Sequence, residues 1–146
     1  MNMEEDSTLF ELIGGRPTLQ RVHKIFYDKL YAHPWLKHFF RDIKQEDIEK
    51  QSTDFMTANM GGGKIYSGRL PANAHKHLYV TKEMFEIRHN MLRDSIKEFG
   101  LAEDLTARWL RIDRAFERST VKSDISQCQK RFVTDDIIII PKPANL

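Results

Sequence analysis

The amino-acid sequence predicts an all-α fold, and three observations support this prediction. Apolar residues recur at spacings of three and four along several long segments, as they do on one face of a helix. Glycine and proline separate these segments from one another. The sequence shows neither an internal repeat nor a parallel-sheet signature. With 146 residues, the chain is long enough for one domain with a buried core.

The first two predicted helices are set by capping residues and by proline. Ser7 or Thr8 can cap a short first helix, which ends at Gly14. Pro17 suits the first turn of a second helix, and Pro34 ends that helix. The apolar stripe of the second helix consists of Leu19, Val22, Phe26 and Leu30. A short turn then leads to a pair of phenylalanines at positions 39 and 40.

Three further helices are predicted downstream. The third covers residues 43–59 and ends where glycines 61–63 oppose continuation, each at a cost of about 1 kcal/mol relative to alanine. Residues 64–79 contain a proline and no long apolar period, so we expect a loop and one short helix there. Thr81 can cap the fourth helix, which ends near Gly100. The fifth helix carries an apolar stripe formed by Leu105, Trp109, Ile112 and Phe116.

The helical pattern fades after residue 119, and the tail differs from the rest of the chain. Residues 134–143 place four consecutive isoleucines between two aspartates and a Pro-Lys-Pro sequence, which indicates an extended segment. Exposed to water, such a run would favour aggregation, so we expect it to pack on the helices or on another chain. We therefore expect a helical domain over residues 1–120 and an extension over residues 121–146, which packs on that domain or binds a partner.

Charge and cysteine content narrow the range of functions. The net charge of +2, without a long basic run, does not indicate binding to nucleic acid or to a membrane surface. The single cysteine, Cys128, excludes an internal disulfide framework and any Cys-x-x-Cys metal site. No apolar run reaches the length of a membrane span, and the acidic N-terminal residues do not resemble a signal peptide. We therefore expect a cytoplasmic protein with neither a membrane nor a nucleic-acid partner.

A set of short motifs runs through residues 7–118 in a fixed order. They are Leu9-Phe10-Glu11-Leu12-Ile13-Gly14-Gly15, Phe26-Tyr27, Phe39-Phe40, Gly61-Gly62, Tyr66-Ser67-Gly68 and His75-Lys76-His77-Leu78-Tyr79-Val80-Thr81. In order and spacing they resemble the truncated haemoglobins, and group one of that family is the most similar. The resemblance implies an all-α, truncated globin-like fold, the two-over-two helical sandwich, which binds one haem b (iron protoporphyrin IX).

The resemblance also implies which residues hold the haem and its ligand. His75 matches the proximal iron ligand, and its other ring nitrogen should donate to a backbone carbonyl. Tyr27 matches the distal tyrosine, whose hydroxyl can donate a hydrogen bond to bound O2. Phe40 matches the phenylalanine that packs against the haem face. If His75 is not the ligand, His77 and His89 are the next candidates.

The distal helix leaves two alternatives open. Counted from Phe40, Ile48 falls on the position that guards the pocket, where an apolar residue is acceptable. The next inward position is Ser52, where glutamine or leucine is common among relatives, and a shift of one residue would put Gln51 there instead. Gln51 and Ser52 are therefore rival second hydrogen-bond donors, with Lys50 a remote third.

Other residues complete the expected pocket. Arg69 and Lys76 lie near the loop where haem propionates would seek cations, and Phe55 and Phe85 are core residues that can also line the haem. Arg88 departs from the pattern, because two of the three groups in the family carry tryptophan there and group one carries small or apolar residues. Since an unpaired buried charge is costly, Arg88 must reach a propionate, a carboxylate or solvent.

The resemblance implies a five-coordinate haem iron that binds O2 and other diatomic ligands such as NO and CO. Bound O2 can oxidise nitric oxide to nitrate while a reductase returns the electron, so a nitric oxide dioxygenase-type activity is one interpretation. A tyrosine donor favours slow release of O2, which suits reaction or sensing better than oxygen transport. Two alternatives stay open: a haem-based ligand or redox sensor with the C-terminal tail as output, and a haem-free helical interaction module.

Overall fold

The computed structural model describes residues 7–63 and 70–146, and the regular elements within these ranges are helical. The α-helices are α1 (Leu9–Ile13), α2 (Arg16–Ala32), α3 (Gln45–Asn59), α4 (Pro71–His75), α5 (Lys82–Phe99), α6 (Glu103–Ala115) and α7 (Glu117–Thr120). Short 3-10 helices cover Leu36–Phe40 and Ile125–Gln127. Between the described residues we find isolated β-bridges and no longer strand, so the predicted all-α class is confirmed.

Helices α1 and α5 begin and end where the sequence predicts. The Thr8 hydroxyl accepts a hydrogen bond from the backbone N–H of Glu11 at 3.2 Å, and the Thr81 hydroxyl accepts one from Met84 at 3.3 Å. Gly100 ends α5 in the left-handed conformation, with a φ of 96°, which glycine adopts without strain. Local capping chemistry therefore determines these boundaries.

Helix α3 begins at Gln45, slightly later than predicted. The Tyr31 hydroxyl donates to the carbonyl of Ile43 at 2.8 Å, so a side chain from α2 occupies that carbonyl. The backbone N–H of Ile43 continues the preceding turn by donating to the carbonyl of Phe40 at 3.0 Å. Lys44 is extended and separates this turn from the helix. A contact between elements thus shortens the helix that local periodicity predicts.

Four helices form two layers. Helix α2 packs along α3 in one layer, α5 packs on α6 in the other, and contacts between α2 and α5 join the layers. The most deeply buried side chains come from these helices and include Leu19, Val22, Phe85, Ile96 and Trp109. Burying one such apolar side chain stabilises the fold by about 1.5–3 kcal/mol. This arrangement is the predicted two-over-two sandwich. Among the described helices, none has the length and apolar character needed to cross a bilayer.

The C-terminal segment is extended and lies against the helices. Ile138 forms a parallel bridge with Leu78, and the indole N–H of Trp35 donates to the carbonyl of Ile140 at 2.9 Å. Ile140 also packs against the apolar core, whereas Ile139 is 44% exposed. The isoleucine run therefore packs in part on the helices of its own chain, which is one of the two outcomes expected for it.

Candidate functional site

His75 is the last residue of α4, the short helix that Pro71 opens. Its Nδ1 lies 2.8 Å from the carbonyl oxygen of Pro71, one turn earlier. Because a carbonyl only accepts hydrogen bonds, Nδ1 carries the proton and Nε2 keeps its lone pair. Burial lowers the pKa of His75 to about 4, against the opposing effect of the hydrogen bond to Pro71. The imidazole is therefore neutral at pH 7, as a metal ligand must be.

The backbone around His75 is held by the C-terminal segment. The buried ammonium of Lys122 donates to the carbonyl of His75. The backbone N–H of Ile138 donates to the carbonyl of His77 at 2.9 Å, and the N–H of Tyr79 donates to the carbonyl of Ile138 at 2.9 Å. Sequence reasoning missed Lys122, because it stands where the helical periodicity has ended and no local pattern marks it.

Tyr27 and Ser52 form a hydrogen-bonded pair that joins α2 to α3. Their oxygen atoms are 2.5 Å apart, and either residue can be the donor. Tyr27 is 8% exposed, and burial raises the pKa of its phenol although the bond to Ser52 opposes this effect, so the phenol is protonated at pH 7. The ring of Phe40 meets that of Tyr27 edge-on, with centroids 6.1 Å apart.

Of the rival second donors, the structure places Ser52 beside Tyr27. Gln51 is exposed on α3, and Lys50 binds Asp54 at the surface with an N–O distance of 2.8 Å. Neighbouring residues on a helix point about 100° apart, so only one of the pair at positions 51 and 52 can face α2. The structure therefore does not bring Gln51 or Lys50 to the candidate site.

The predicted apolar wall residues lie in or against the core. Ile48 and Phe55 are half-buried on α3, and Phe55 packs against the phenylalanine that ends α6, with ring centroids 5.3 Å apart. Phe85 of α5 is 2% exposed. Of the two cations expected near the haem propionates, Lys76 is half-buried directly after α4, and Arg69 lies outside the described residues.

Arg88 finds a partner in Asp113 of α6, which is the carboxylate among the outcomes that the sequence left open. Its two Nη atoms donate to the two carboxylate oxygens, one of them at 2.9 Å, and Nδ1 of His89 lies 2.7 Å from the same carboxylate. Burial raises the pKa of Asp113, but the charge of Arg88 holds that pKa well below its ordinary value. Sequence reasoning missed Asp113, although its place one turn after the inward Trp109 was a usable signal.

His23 is a buried histidine that sequence reasoning did not assign to the site. It is 4% exposed, and its Nδ1 lies 2.8 Å from the hydroxyl oxygen of Thr53 on α3. Its ring meets that of Trp109 edge-on, with centroids 6.0 Å apart. Burial lowers the pKa of His23 to about 3, so the ring stays neutral in the core. It lies one helical turn before Tyr27 and supports the same face of α2.

The donor chemistry of these residues fits a haem. A neutral imidazole with one nitrogen lone pair, a buried phenol and surrounding aromatic rings are the groups with which a protein holds b-type haem and its ligand. Beyond the larger effects of burial and hydrogen bonding, the charge of Arg88 lowers the pKa of both His75 and Tyr27. The two residues therefore lie within electrostatic range of the same guanidinium.

Known proteins resemble this chain over most of its length. The sequence profile of the bacterial-like globin family matches residues 8–122. The Group 1 truncated hemoglobin of Tetrahymena thermophila is 31% identical over 103 residues, which cover 70% of this chain and 85% of that protein. The Group 1 truncated hemoglobin GlbN of Synechocystis sp. is 32% identical over 105 residues, with 69% and 85% covered. The crystal structure of truncated hemoglobin from Tetrahymena pyriformis in the Fe(III) form gives a TM-score of 0.74 at 26% identity, covering 80% of this chain and 100% of that one.

Proposed function

Since this chain belongs to the bacterial-like globin family and is a truncated haemoglobin with haem b as its cofactor, we propose that His75 holds the iron through Nε2 and that Tyr27 faces the gas ligand. Binding of diatomic gases such as O2 at haem is the activity that this family membership implies. The observation that carries the residue assignment is the hydrogen bond from Nδ1 of His75 to the carbonyl of Pro71. That bond sets the tautomer and the orientation of the ring, and it makes Nε2 more basic.

Tyr27 contributes the hydrogen bond on the ligand side. Haem, when bound, would supply an iron atom that takes a diatomic ligand. When Ser52 donates to the phenol oxygen, the proton of Tyr27 is directed at the ligand, and the two hydrogen bonds polarise each other. In a pocket that Phe40 and Ile48 help to close, this hydrogen bond competes little with water, so it slows the escape of the ligand.

Slow release of O2 suits a reaction better than transport. The reaction in this proposal is the oxidation of nitric oxide to nitrate, in which one NO and one O2 are consumed. Each turnover removes one electron from the ferrous protein, and a separate reductase must return it. By holding O2 for longer, the Tyr27–Ser52 pair would give NO time to react before O2 leaves.

The remaining predicted residues have supporting roles in the proposal. Ile48, Phe55 and Phe85 form apolar walls, because each packs in or against the core and keeps water away from the ligand. Lys76 follows His75 directly and is the cation proposed for one propionate, with Arg69 proposed for the other. An ion pair between the partly exposed Lys76 and a propionate would contribute up to about 1 kcal/mol.

Spectra of the purified protein test the assignment. We expect the protein to take up hemin with a Soret band and to bind CO when it is reduced. His75→Gly should lose the five-coordinate ferrous spectrum and regain it with added imidazole, because the free base then fills the vacated position. His77→Gln and His89→Gln are the matched controls and should keep the wild-type spectrum. An unchanged spectrum in His75→Gly would refute the ligand assignment, and a preparation that stays colourless with hemin would refute haem binding.

The docked tail favours a second candidate function, a haem-based ligand or redox sensor with residues 121–146 as its output. Lys122 binds the carbonyl of His75, so a shift of α4 upon ligand binding reaches the tail directly. Hydrogen–deuterium exchange of the ferrous and CO-bound protein tests this function. We expect the exchange protection of the Ile138 and Tyr79 amides to change when CO binds. Equal protection along the tail in the two forms would reject the sensor and leave turnover with nitric oxide.

The structure gives less support to a haem-free interaction module. That alternative was motivated by Arg88 and Ser52, which depart from the pattern of the family. Arg88 is neutralised within the fold by Asp113, and Ser52 is the partner of Tyr27. Neither residue therefore requires a binding partner outside the chain.

A further inference from the structure

The C-terminal extension, residues 121–146, contacts the end of the short helix α4, which carries the proposed iron ligand. The last carbonyl groups of an α-helix have no partner within the helix and need one elsewhere. The extension provides a hydrogen-bond donor for three consecutive carbonyl groups at this point. The donor and acceptor residues are Lys122 with His75, Gln129 with Lys76 at 2.7 Å, and Ile138 with His77 at 2.9 Å.

Lys122 differs from the other two donors because it uses its side chain. The carbonyl of His75 accepts one hydrogen bond from the Lys122 ammonium and one from the backbone N–H of Leu78 at 2.9 Å. A carbonyl oxygen has two lone pairs, so both are occupied. The bond from Lys122 is of the stronger kind, because its donor carries a charge. The backbone at His75 is therefore held from two directions.

The position of Lys122 is itself well defined. Its backbone N–H donates to the carbonyl of Val80 at 2.8 Å, beside a parallel bridge between Val80 and Val121. Lys122 is only 8% exposed, and it pairs with no carboxylate in the part of the chain that the structure describes. Burial of an ammonium without a counter-charge is costly, and an apolar side chain would avoid that cost. The contact that an apolar residue could not make here is the hydrogen bond to His75.

We propose that Lys122 is a positioning residue for the iron ligand, because it fixes the backbone from which the His75 ring projects. The inference rests on the proposed function, since it requires that His75 bind the iron. Two hydrogen bonds set the orientation of the ring: Nδ1 donates to the carbonyl of Pro71 at 2.8 Å, and the carbonyl of His75 accepts from Lys122. Without the second bond, the end of α4 would take a range of positions and Nε2 would move with it. Metal ligands that are held by such supporting contacts bind more tightly.

Haem-loaded variants of Lys122 test the proposal. Lys122→Met keeps an apolar side chain of similar length and removes the donor. We expect this variant to pass haem to an excess of apoglobin about tenfold faster than wild type, as the loss of one charge-assisted hydrogen bond predicts. In the ferrous protein, the iron–histidine stretching band of the resonance Raman spectrum should broaden, because Nε2 no longer has one orientation. Lys122→Arg supplies a charged donor again and should restore most of the haem retention and the narrow band.

Lys142→Met is the matched control. It makes the same substitution in the same extension, but Lys142 pairs with Glu83 on α5 and not with the iron-ligand segment. This variant should keep the wild-type band and the wild-type transfer rate. A wild-type band in Lys122→Met, or equal defects in Lys122→Met and Lys122→Arg, would overturn the role of Lys122 and leave haem binding intact.

A failure of the proposed function would give a different result. In that case the wild-type protein would take up no hemin, or His75→Gly would keep the wild-type iron–histidine band. Neither result depends on Lys122, so the two failures can be told apart.

Discussion

In the proposed site, the hydrogen bond between Tyr27 and Ser52 decides which hydrogen bond a ligand can receive. The two oxygens are 2.5 Å apart, and without a ligand either group can donate. When a ligand accepts a hydrogen bond from the phenol O–H, Ser52 becomes the donor to the phenol oxygen. A serine hydroxyl makes this change by rotation alone, without a change in packing. The pair is therefore a donor that is already in place and becomes stronger when a ligand accepts from it.

Substitution of Tyr27 should show this contribution in the rate of O2 release. Tyr27→Phe should release O2 about tenfold faster, because a lost hydrogen bond of this kind contributes about 1–1.5 kcal/mol. Ser52→Ala should accelerate release by only about threefold, because the phenol keeps its proton and loses only the polarising partner. Tyr31→Phe is the control, since the Tyr31 hydroxyl binds the carbonyl of Ile43. Stopped-flow displacement measures the rates, and equal rates for wild type and Tyr27→Phe would show that the phenol does not meet the ligand.

His23 makes the folded state sensitive to acid. Burial lowers its pKa from 6.5 to about 3, so the folded protein keeps the ring neutral while the unfolded chain protonates it below pH 6.5. Between these two values the unfolded state binds more protons, and the free energy of unfolding falls as the pH falls. His23→Gln can keep a hydrogen bond to Thr53. It should reduce the slope of the free energy of unfolding against pH by up to about 1.4 kcal/mol per pH unit.

Urea unfolding between about pH 6 and about pH 4.5 measures the slope for wild type and for His23→Gln. The comparison uses slopes, so a general loss of stability in the variant does not affect it. His38→Gln, at a half-buried surface position, serves as the control and should keep the wild-type slope. Parallel curves for wild type and His23→Gln would mean that burial of His23 does not contribute to the acid sensitivity.

Among the helices, the glycine break after α3 does more than end that helix. A Cβ at Gly62 would lie 2.7 Å from a ring atom of Phe10, so α1 packs directly on this stretch of backbone. The N–H of Phe10 donates to the carbonyl of Met60 at 3.0 Å and closes the same contact. The sequence accounts for these glycines by their cost in a helix, and the structure adds the close approach of α1 as a second reason.

The contact between Gly62 and Phe10 predicts a coupling between two substitutions. Gly62→Ala should lower the free energy of unfolding by about 1–3 kcal/mol, because the new methyl group overlaps the ring. Phe10→Leu should relieve that overlap, so the double variant should lose less stability than the sum of the single variants. Gly100→Ala is the control: apart from the adjacent residues, no atom of the described residues lies within 4 Å of its added Cβ. Its backbone strain of about 1 kcal/mol should not depend on Phe10. Additive losses in the Gly62–Phe10 cycle would contradict the close packing of Phe10 on Gly62.

Across the whole molecule, the sequence predicts the features that depend on local chemistry. Caps such as Thr81 and apolar spacing predict the helices, and the resemblance predicts how they pack. The sequence does not predict features that depend on contacts between elements. The start of α3 depends on a hydroxyl from α2, and the choice of Ser52 over Gln51 depends on the helix register. The partner of Arg88 lies on another helix, and only its place one turn after the inward Trp109 marks it.

We propose that residues 1–120 form the globin domain and that residues 121–146 are an extension docked on it. The match to the family profile, which ends at residue 122, supports this division. The extension is tied to several parts of the domain: its backbone accepts a hydrogen bond from Trp35 and donates one to His77, and a lysine near its end binds Glu83 at 2.5 Å. Its contact with the segment after His75 connects it to the iron ligand of the proposed site.

Removal of residues 124–146 should therefore make the protein lose haem faster. The truncation breaks at least four hydrogen bonds to the domain, with Trp35, Lys76, His77 and Tyr79 as partners. At about 0.5–1.5 kcal/mol each, the loss of these four bonds should lower the free energy of unfolding by about 2–6 kcal/mol. Haem should pass faster to an excess of a haem-scavenging apoglobin, because the backbone at His75 is less restrained.

Removal of residues 144–146 alone is the control and should leave the transfer rate unchanged. A transfer rate that stays at the wild-type value in both truncations would mean that the extension does not hold the iron-ligand segment in place.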